Sequence, residues 1–331
     1  MQRSMSRAYF LASTRKAALM RLRPNRLATA FAGVAMLALL AGCASTPSES
    51  AESPAASDGT FAKDDNTIVF AVLPDHEGAD SDAQPIADWI AEITGKTVDF
   101  FPATDYTAVV QGLAAGQIDV AQISAFTYYQ SQAAGAEIEP IGAQITEDGA
   151  AAGYYSVAIA NPAWDGSTFA DFADEPVCFV NPTSTSGRAI PASQLKAAGV
   201  TVAPENVLAP EGGAHDLNAL KVAEGQECMV GFAQDIDADP LIKSGQLKEI
   251  ERFLVPAAPI VMQTGLPQSV KDALLAEIAG STQATLTGHG IDLNEFLSDG
   301  WFGFDAVDDK YYDSIRTVCA EVADEVEACQ A

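Results

Sequence analysis

The chain has 331 residues, 48% of them hydrophobic, with 18 Lys+Arg against 45 Asp+Glu and a formal net charge of −27. That length allows two ordinary domains, and that composition marks a globular rather than a disordered chain. A body this acidic repels phosphate backbones and argues against a nucleic-acid partner, so any anion must be captured by local donors. Three His and five Cys leave little material for a metal site.

The first 42 residues read as a targeting segment. Arg3, Arg7, Arg15, Lys16, Arg21, Arg23 and Arg26 precede an apolar run, Leu27 to Ala41, with no acidic residue among them. The run is shorter than the roughly 20 residues a membrane-spanning helix needs, and it fits a secretory core. It ends in Leu40-Ala41-Gly42-Cys43. That string resembles the lipobox of bacterial lipoprotein signals, which makes Cys43 the expected lipidation site. Residues 43–65, rich in Ser, Ala, Pro and acids, read as a flexible tether. Cys178, Cys228, Cys319 and Cys329 remain, an even number with three possible connectivities.

From Thr67 the chain alternates strands and helices. Thr67 to Leu73 is a near-continuous apolar strand, and Gln84 to Thr94 a helix closed by Gly95. Residues 97–101 form a strand, 106–115 a helix, 118–123 a strand and 126–134 a helix. Strands follow at 141–146 and 154–159. This order predicts a doubly wound parallel α/β sheet. A second run has strands at 177–180 and 228–232, helices at 189–198 and 214–223, a possible strand opening at Val207 and a strand at 247–253. The pattern resumes with a strand at 258–262 and a helix at 270–279. The predicted organisation is two lobes, 66–158 plus 257–331 and 159–256, joined by two crossovers. On that assignment Cys178 and Cys228 share a lobe and are predicted to pair. Cys319 and Cys329 flank a short tail and form the second predicted pair.

Three turns after strands carry candidate chemistry, because ligands in open sheets sit beyond the strands' carboxyl ends. Asn181-Pro182-Thr183-Ser184-Thr185-Ser186-Gly187 sets hydroxyls at a helix start, where unpaired N–H groups favour an oxyanion; simple helix capping is the plainer reading. At Ser124-Ala125-Phe126-Thr127-Tyr128, Ser124 caps a helix and Tyr128 points its OH toward the strand ends, although packing alone could explain the aromatics. At Gly213-Ala214-His215-Asp216, His215 opens a helix, where a surface capping role is the alternative. No nucleophile elbow occurs, since the residue two before Ser186 is Ser184 rather than Gly.

These residues resemble the phosphate/phosphonate/phosphite-binding proteins of ABC importers, on the type 2 periplasmic binding-protein fold. The resemblance runs from about Thr67 to about Pro259. It is carried by the Asn181–Gly187 string, by Asp105-Tyr106 with Gly116 to Asp119, by the Ser124–Tyr128 turn and by Gly213 to Asp216. It implies that Tyr106, Ser124, Tyr128, Ser184, Thr185, Ser186 and His215 hold a phosphorus oxyanion between the lobes. It also implies an ABC permease as partner, a monomer, no cofactor and no catalysis. The segment Gly225 to Gly231 departs from the family, with Cys228 where the pattern has aspartate. That departure points away from an amine-bearing ligand and toward phosphate, phosphite or a short alkylphosphonate. A receptor for a sulfonate or other organic anion, or an exported enzyme on the same fold, is the alternative. The expected location is the extracytoplasmic face of the cell membrane.

Overall fold

The computed structural model describes residues 59–210 and 213–330; the signal-like segment, Cys43 and most of the tether lie outside the described residues. The described residues form twelve strands. They are β1 (Thr67–Val72), β2 (Thr97–Phe100), β3 (Val120–Gln122), β4 (Ile138–Ile145), β5 (Tyr154–Ala160), β6 (Val177–Cys178), β7 (Val207–Leu208), β8 (Val230–Gln234), β9 (Lys248–Val255), β10 (Pro259–Gln263), β11 (Ser281–Thr282) and β12 (Gly303–Asp305). The helices are α1 (Ala79–Asp82), α2 (Gln84–Thr94), α3 (Tyr106–Ala114), α4 (Ala125–Ala133), α5 (Ile190–Ala197), α6 (His215–Glu224), α7 (Asp235–Lys243), α8 (Gln268–Ile278), α9 (Gln283–Gly288), α10 (Glu295–Gly300) and α11 (Asp313–Val322).

Two sheets result. One has seven strands in the order β11-β12-β4-β10-β3-β1-β2, the other five in the order β7-β6-β8-β5-β9. β1 is apolar from Ile68 onward because it lies between β2 and β3, parallel to both, and is buried nearly throughout. Ile86, Ala87, Trp89 and Ile90 of α2 are buried in this lobe's core, and Gly95 ends the helix in the left-handed region at φ 65°. In the second lobe Phe169, Phe172, Phe179 and Phe232 pack edge-on and offset around β6 and β8.

Several sequence expectations are corrected. The sheets are mixed, not wholly parallel: β10 runs antiparallel to β3 and β4, and β5 antiparallel to β8 and β9. These are the strands next to the crossovers, and a strand arriving from the other lobe enters its sheet from the opposite end. The first crossover falls between β4 and β5, not at the predicted boundary between residues 158 and 159. β5 is thus the second lobe's strand, paired along its whole length with β9. Residues 60–65 are not free tether. The Thr60 N–H donates to the Gly265 carbonyl at 2.9 Å, the Ala62 N–H donates to Asp119 at 2.8 Å, and Phe61 packs on the core.

The C-terminal tail, expected in the first lobe, touches both. Tyr128 and Arg316 bond to Asp309 and Gln132 accepts from Arg316 on one side. On the other, Arg188 and Lys196 donate to the Glu325 and Glu321 carbonyls. Cys178 is bonded to Cys228 with their Cα atoms 5.9 Å apart, and Cys319 to Cys329 at 4.9 Å.

Candidate functional site

The two sheets present strand ends to a shared cavity of about 550 Å³. The ends of β1, β3 and β8 reach it, as parallel α/β topology directs. Four of the seven expected residues line it: Tyr106, Ser124, Ser184 and His215.

Ser184 has extended backbone angles and caps the next turn, its Oγ accepting from the Gly187 N–H at 3.0 Å. The sequence reading started the following helix at 189. Helical backbone instead begins at Thr185, as a wide turn over Thr185–Ala189 that feeds α5. Such i→i+5 turns cluster at functional sites. Three contacts fix it. The Ser156 hydroxyl donates to the Ser186 carbonyl at 2.6 Å, and the Tyr154 hydroxyl donates to Ser186 Oγ at 3.2 Å. Thr185 Oγ1 accepts the Phe126 N–H at 2.8 Å, from the first turn of α4 in the other lobe. Thr185 and Ser186 therefore stand directly behind Ser184 rather than on the cavity wall.

His215 Nε2 lies 3.2 Å from Ser184 Oγ and 3.4 Å from Ser186 Oγ. Its tautomer follows from the other nitrogen. Nδ1 receives the Gln234 backbone N–H at 2.9 Å, so Nδ1 is unprotonated and Nε2 carries the hydrogen. Burial pushes this imidazole down to about 4, against the charges of Asp75 and Asp216, so it is neutral at physiological pH. A neutral His with hydrogen on Nε2 donates toward the Ser hydroxyls and cannot accept a proton from them. The Ser184–His215 contact is thus not an activated nucleophile.

Tyr106 is the first residue of α3, set there by the Asp105 cap, whose carboxylate accepts the Ala108 N–H at 2.8 Å. Burial, with Asp75, raises its phenol well above the ordinary range, so it is a donor. Ser124 caps α4 and accepts the Thr127 N–H. The site is therefore a set of neutral hydroxyl and imidazole donors at helix starts, the chemistry that holds an oxyanion.

Tyr128 is a correction. Its hydroxyl does not point toward the strand ends. It donates to Asp309 at 2.7 Å, with the ring against Tyr312. At the fourth residue after the Ser124 cap, the side chain lies on the face of α4 turned to the core and the C-terminal tail. Asp119, part of the motif that carried the resemblance, is buried and structural, receiving the N–H groups of Ala62 and Val69.

The sequence reading missed the residues that make the rest of the wall. Tyr154 was read only as strand. Asp75 and His76 sit in the loop after β1, with His76 between Asp75 (2.7 Å) and Asp82 (2.9 Å) and stacked on Phe296. Burial works to lower this imidazole, but the two carboxylates prevail and raise it to about 9. α7 was missed altogether, and it brings Asp235 and Asp239 to the cavity. Where position 228 has Cys rather than the family's aspartate, carboxylates reach the cavity from the next helix instead. Asp237 lies beside them, its carboxyl pushed up to about 7 by burial. The signal was the Asp-rich start after an apolar strand. Pro240, inside the helix, masked it.

A two-lobed α/β receptor with an oxyanion-type site in its cleft is the class these features define. The profile described as "ABC transporter, phosphonate, periplasmic substrate-binding protein" matches residues 70–312, and the chain belongs to this family. It is 31% identical over 323 residues to the phosphate-import protein PhnD of Mycolicibacterium smegmatis, covering 89% of this chain and 95% of that one. Among solved structures it resembles a binding-protein component of an ABC phosphonate transporter from Pseudomonas aeruginosa (TM-score 0.63, 24% identity, 79% and 90% of the two chains). It also resembles PhnD1 of Prochlorococcus marinus in complex with methylphosphonate (TM-score 0.65, 15% identity, 78% and 98%).

Proposed function

We propose that this substrate-binding protein captures a phosphorus oxyanion (phosphate, phosphite or a small phosphonate) in its cleft and delivers it to an ABC permease. The observation that carries the reading is the His215 Nε2–H, held in its donor tautomer by the Gln234 amide and converging with the Ser184 hydroxyl in the cavity. Closing the lobes over the ligand favours the closed state by its differential affinity, and no bond is made or broken. Because His215 cannot act as a base toward Ser184, a Ser–His hydrolase reading of this pair lacks its proton acceptor. A phosphonate with a cationic substituent is a second reading, favoured by Asp235 and Asp239 on the wall.

Calorimetry with phosphate, phosphite, methylphosphonate, aminoethylphosphonate and taurine tests this. Each charge-assisted hydrogen bond contributes roughly 1.5–3 kcal/mol, so Ser184→Ala and His215→Ala should each weaken binding about ten- to a hundred-fold. Tyr128→Phe should leave affinity unchanged. If both alanine variants bind as the wild type does, the turn is only a helix cap. If only taurine binds, the ligand assignment falls and the architecture stands.

The Leu40-Ala41-Gly42-Cys43 string supports a lipid anchor on the extracytoplasmic side. Stable anchoring takes more than one acyl chain. Cys43→Ala should release the protein from the membrane fraction, and an unmodified wild-type chain cleaved elsewhere, seen by intact mass, would refute the anchor.

A further inference from the structure

We propose that the cleft has a second, apolar compartment along α7, and that its preferred ligand is a phosphorus oxyanion carrying an alkyl chain of about four to six carbons. This rests on the oxyanion reading and adds the nature of the substituent to it.

The cavity is too large for a head group alone. Inorganic phosphate fills about the space of two waters, roughly 60 Å³, against about 550 Å³ here. The surplus is not merely an unclosed cleft, because the lobes already touch around it. The His215 backbone N–H donates to the Asp75 carbonyl at 2.8 Å, and the Phe126 N–H to Thr185 Oγ1 at 2.8 Å. Elsewhere on the wall, a Cβ on Gly300 of α10 would lie 2.7 Å from Ile236 Cδ1 of α7, so these two helices meet across the cleft.

α7 gives the surplus its length. The helix starts at the donor end, since the N–H of its N-cap, Gln234, donates to His215 Nδ1. From there Asp235, Ile236, Asp239, Pro240 and Lys243 line the cavity, a spacing that marks one helix face. At 1.5 Å rise per residue that face is about 12 Å long. A tetrahedral head group uses about 4 Å of it, which leaves about 8 Å, the reach of a chain of about six carbons.

The free part of this wall is apolar. Ile236 is 42% exposed, a large hydrophobic side chain with nothing in the protein to cover it fully. Pro240 stands one turn further along α7. Phe296 and Leu297 of α10, with Ala79 and Ala83 at the two ends of α1, line the same cavity from the first lobe.

Most of the carboxylates on the wall are engaged. Arg252 Nη2 donates to Asp239 Oδ1 at 2.5 Å and Nη1 to Oδ2 at 3.3 Å. Asp75 and Asp82 share His76, and Asp235 accepts the Tyr155 backbone N–H. Asp299 is exposed to solvent, where its charge is screened. An ammonium on the ligand must compete with these partners. A methylene chain needs only apolar surface to cover, and each fully buried methylene strengthens binding about fourfold.

Calorimetry on the mature protein with phosphate, methylphosphonate, butylphosphonate and 4-aminobutylphosphonate tests this. Butylphosphonate should bind at least about tenfold more tightly than methylphosphonate. A smaller gain would overturn the compartment and leave the oxyanion reading intact. 4-Aminobutylphosphonate should bind more weakly than butylphosphonate; the reverse order would overturn the apolar assignment in favour of a cationic substituent. Ile236→Asn, at an exposed position, should cut the ratio of butyl to methyl affinity severalfold. A ratio unchanged within about twofold would overturn the placing of the chain along α7. Failure of phosphate and every phosphonate to bind would overturn the oxyanion reading and this proposal with it. The wild-type comparison stands whether or not the variant folds.

Discussion

At the scale of single residues, the two histidines by the cleft are tuned in opposite senses. His215 is buried and neutral, lowered from 6.5 to about 4. Between those values the unfolded chain binds a proton that the folded chain does not, so stability falls as pH drops through that window. His76, raised to about 9 by Asp75 and Asp82, stabilises fully below 6.5, and its contribution is lost as pH rises through about 9. Urea unfolding should show the difference. Relative to His215→Gln, the wild type should lose up to about 3 kcal/mol between about pH 7 and about pH 4. Relative to His76→Gln it should lose its advantage on the alkaline side instead. Gaps that do not change with pH would refute both assignments.

At the scale of elements, the anion turn depends on close packing behind it. A Cβ on Gly187 would run into the Cβ of Val180 and crowd Ser184 Oγ. Gly187→Ala should therefore cost about 1–3 kcal/mol from overpacking and displace the Ser184 hydroxyl, weakening anion binding as well. Ser156→Ala, which removes the bond to the Ser186 carbonyl without adding bulk, should cost about 1–2 kcal/mol and lower affinity less. Thermal unfolding together with calorimetry checks the pair. Equal affinity in Gly187→Ala and wild type would mean that the turn's position does not matter for the ligand.

At the scale of the whole molecule, two loops of different length are closed covalently. Cys178–Cys228 spans 50 residues and Cys319–Cys329 spans 10. In the chain-entropy model these contribute about 4 and about 3 kcal/mol. Replacing the first pair by alanine should lower stability more than replacing the second. The second has a distinct consequence, because the tail it closes carries Glu321 and Glu325, whose carbonyls take Lys196 and Arg188 from the second lobe. Loss of Cys319–Cys329 should therefore loosen the contact between lobes. Hydrogen exchange over α5 and α11 would reveal it, and unchanged protection there would refute the tail's bracing role.

The sequence by itself determined the element order and the hydroxyl-rich turn, and it set Ser124, Ser184 and His215 at helix starts, whereas Tyr106 entered through the family resemblance. These are legible because they rest on local rules: apolar period, caps, and hydroxyls at a helix start. Tyr128 obeyed the same local pattern, and only the C-terminal tail, arriving 181 residues later with Asp309, took its hydroxyl away from the cleft. The direction of β5 and β10, the crossover before Tyr154 and the placing of Asp75 beside His215 were likewise decided by tertiary structure. Each depends on which lobe a segment packs against, a long-range burial choice that leaves no trace in the residues next to it. α7 fell between the two cases. Its Asp-rich start was visible, but Pro240 contradicted a helix until packing against α6 and β5 outweighed the lost hydrogen bond.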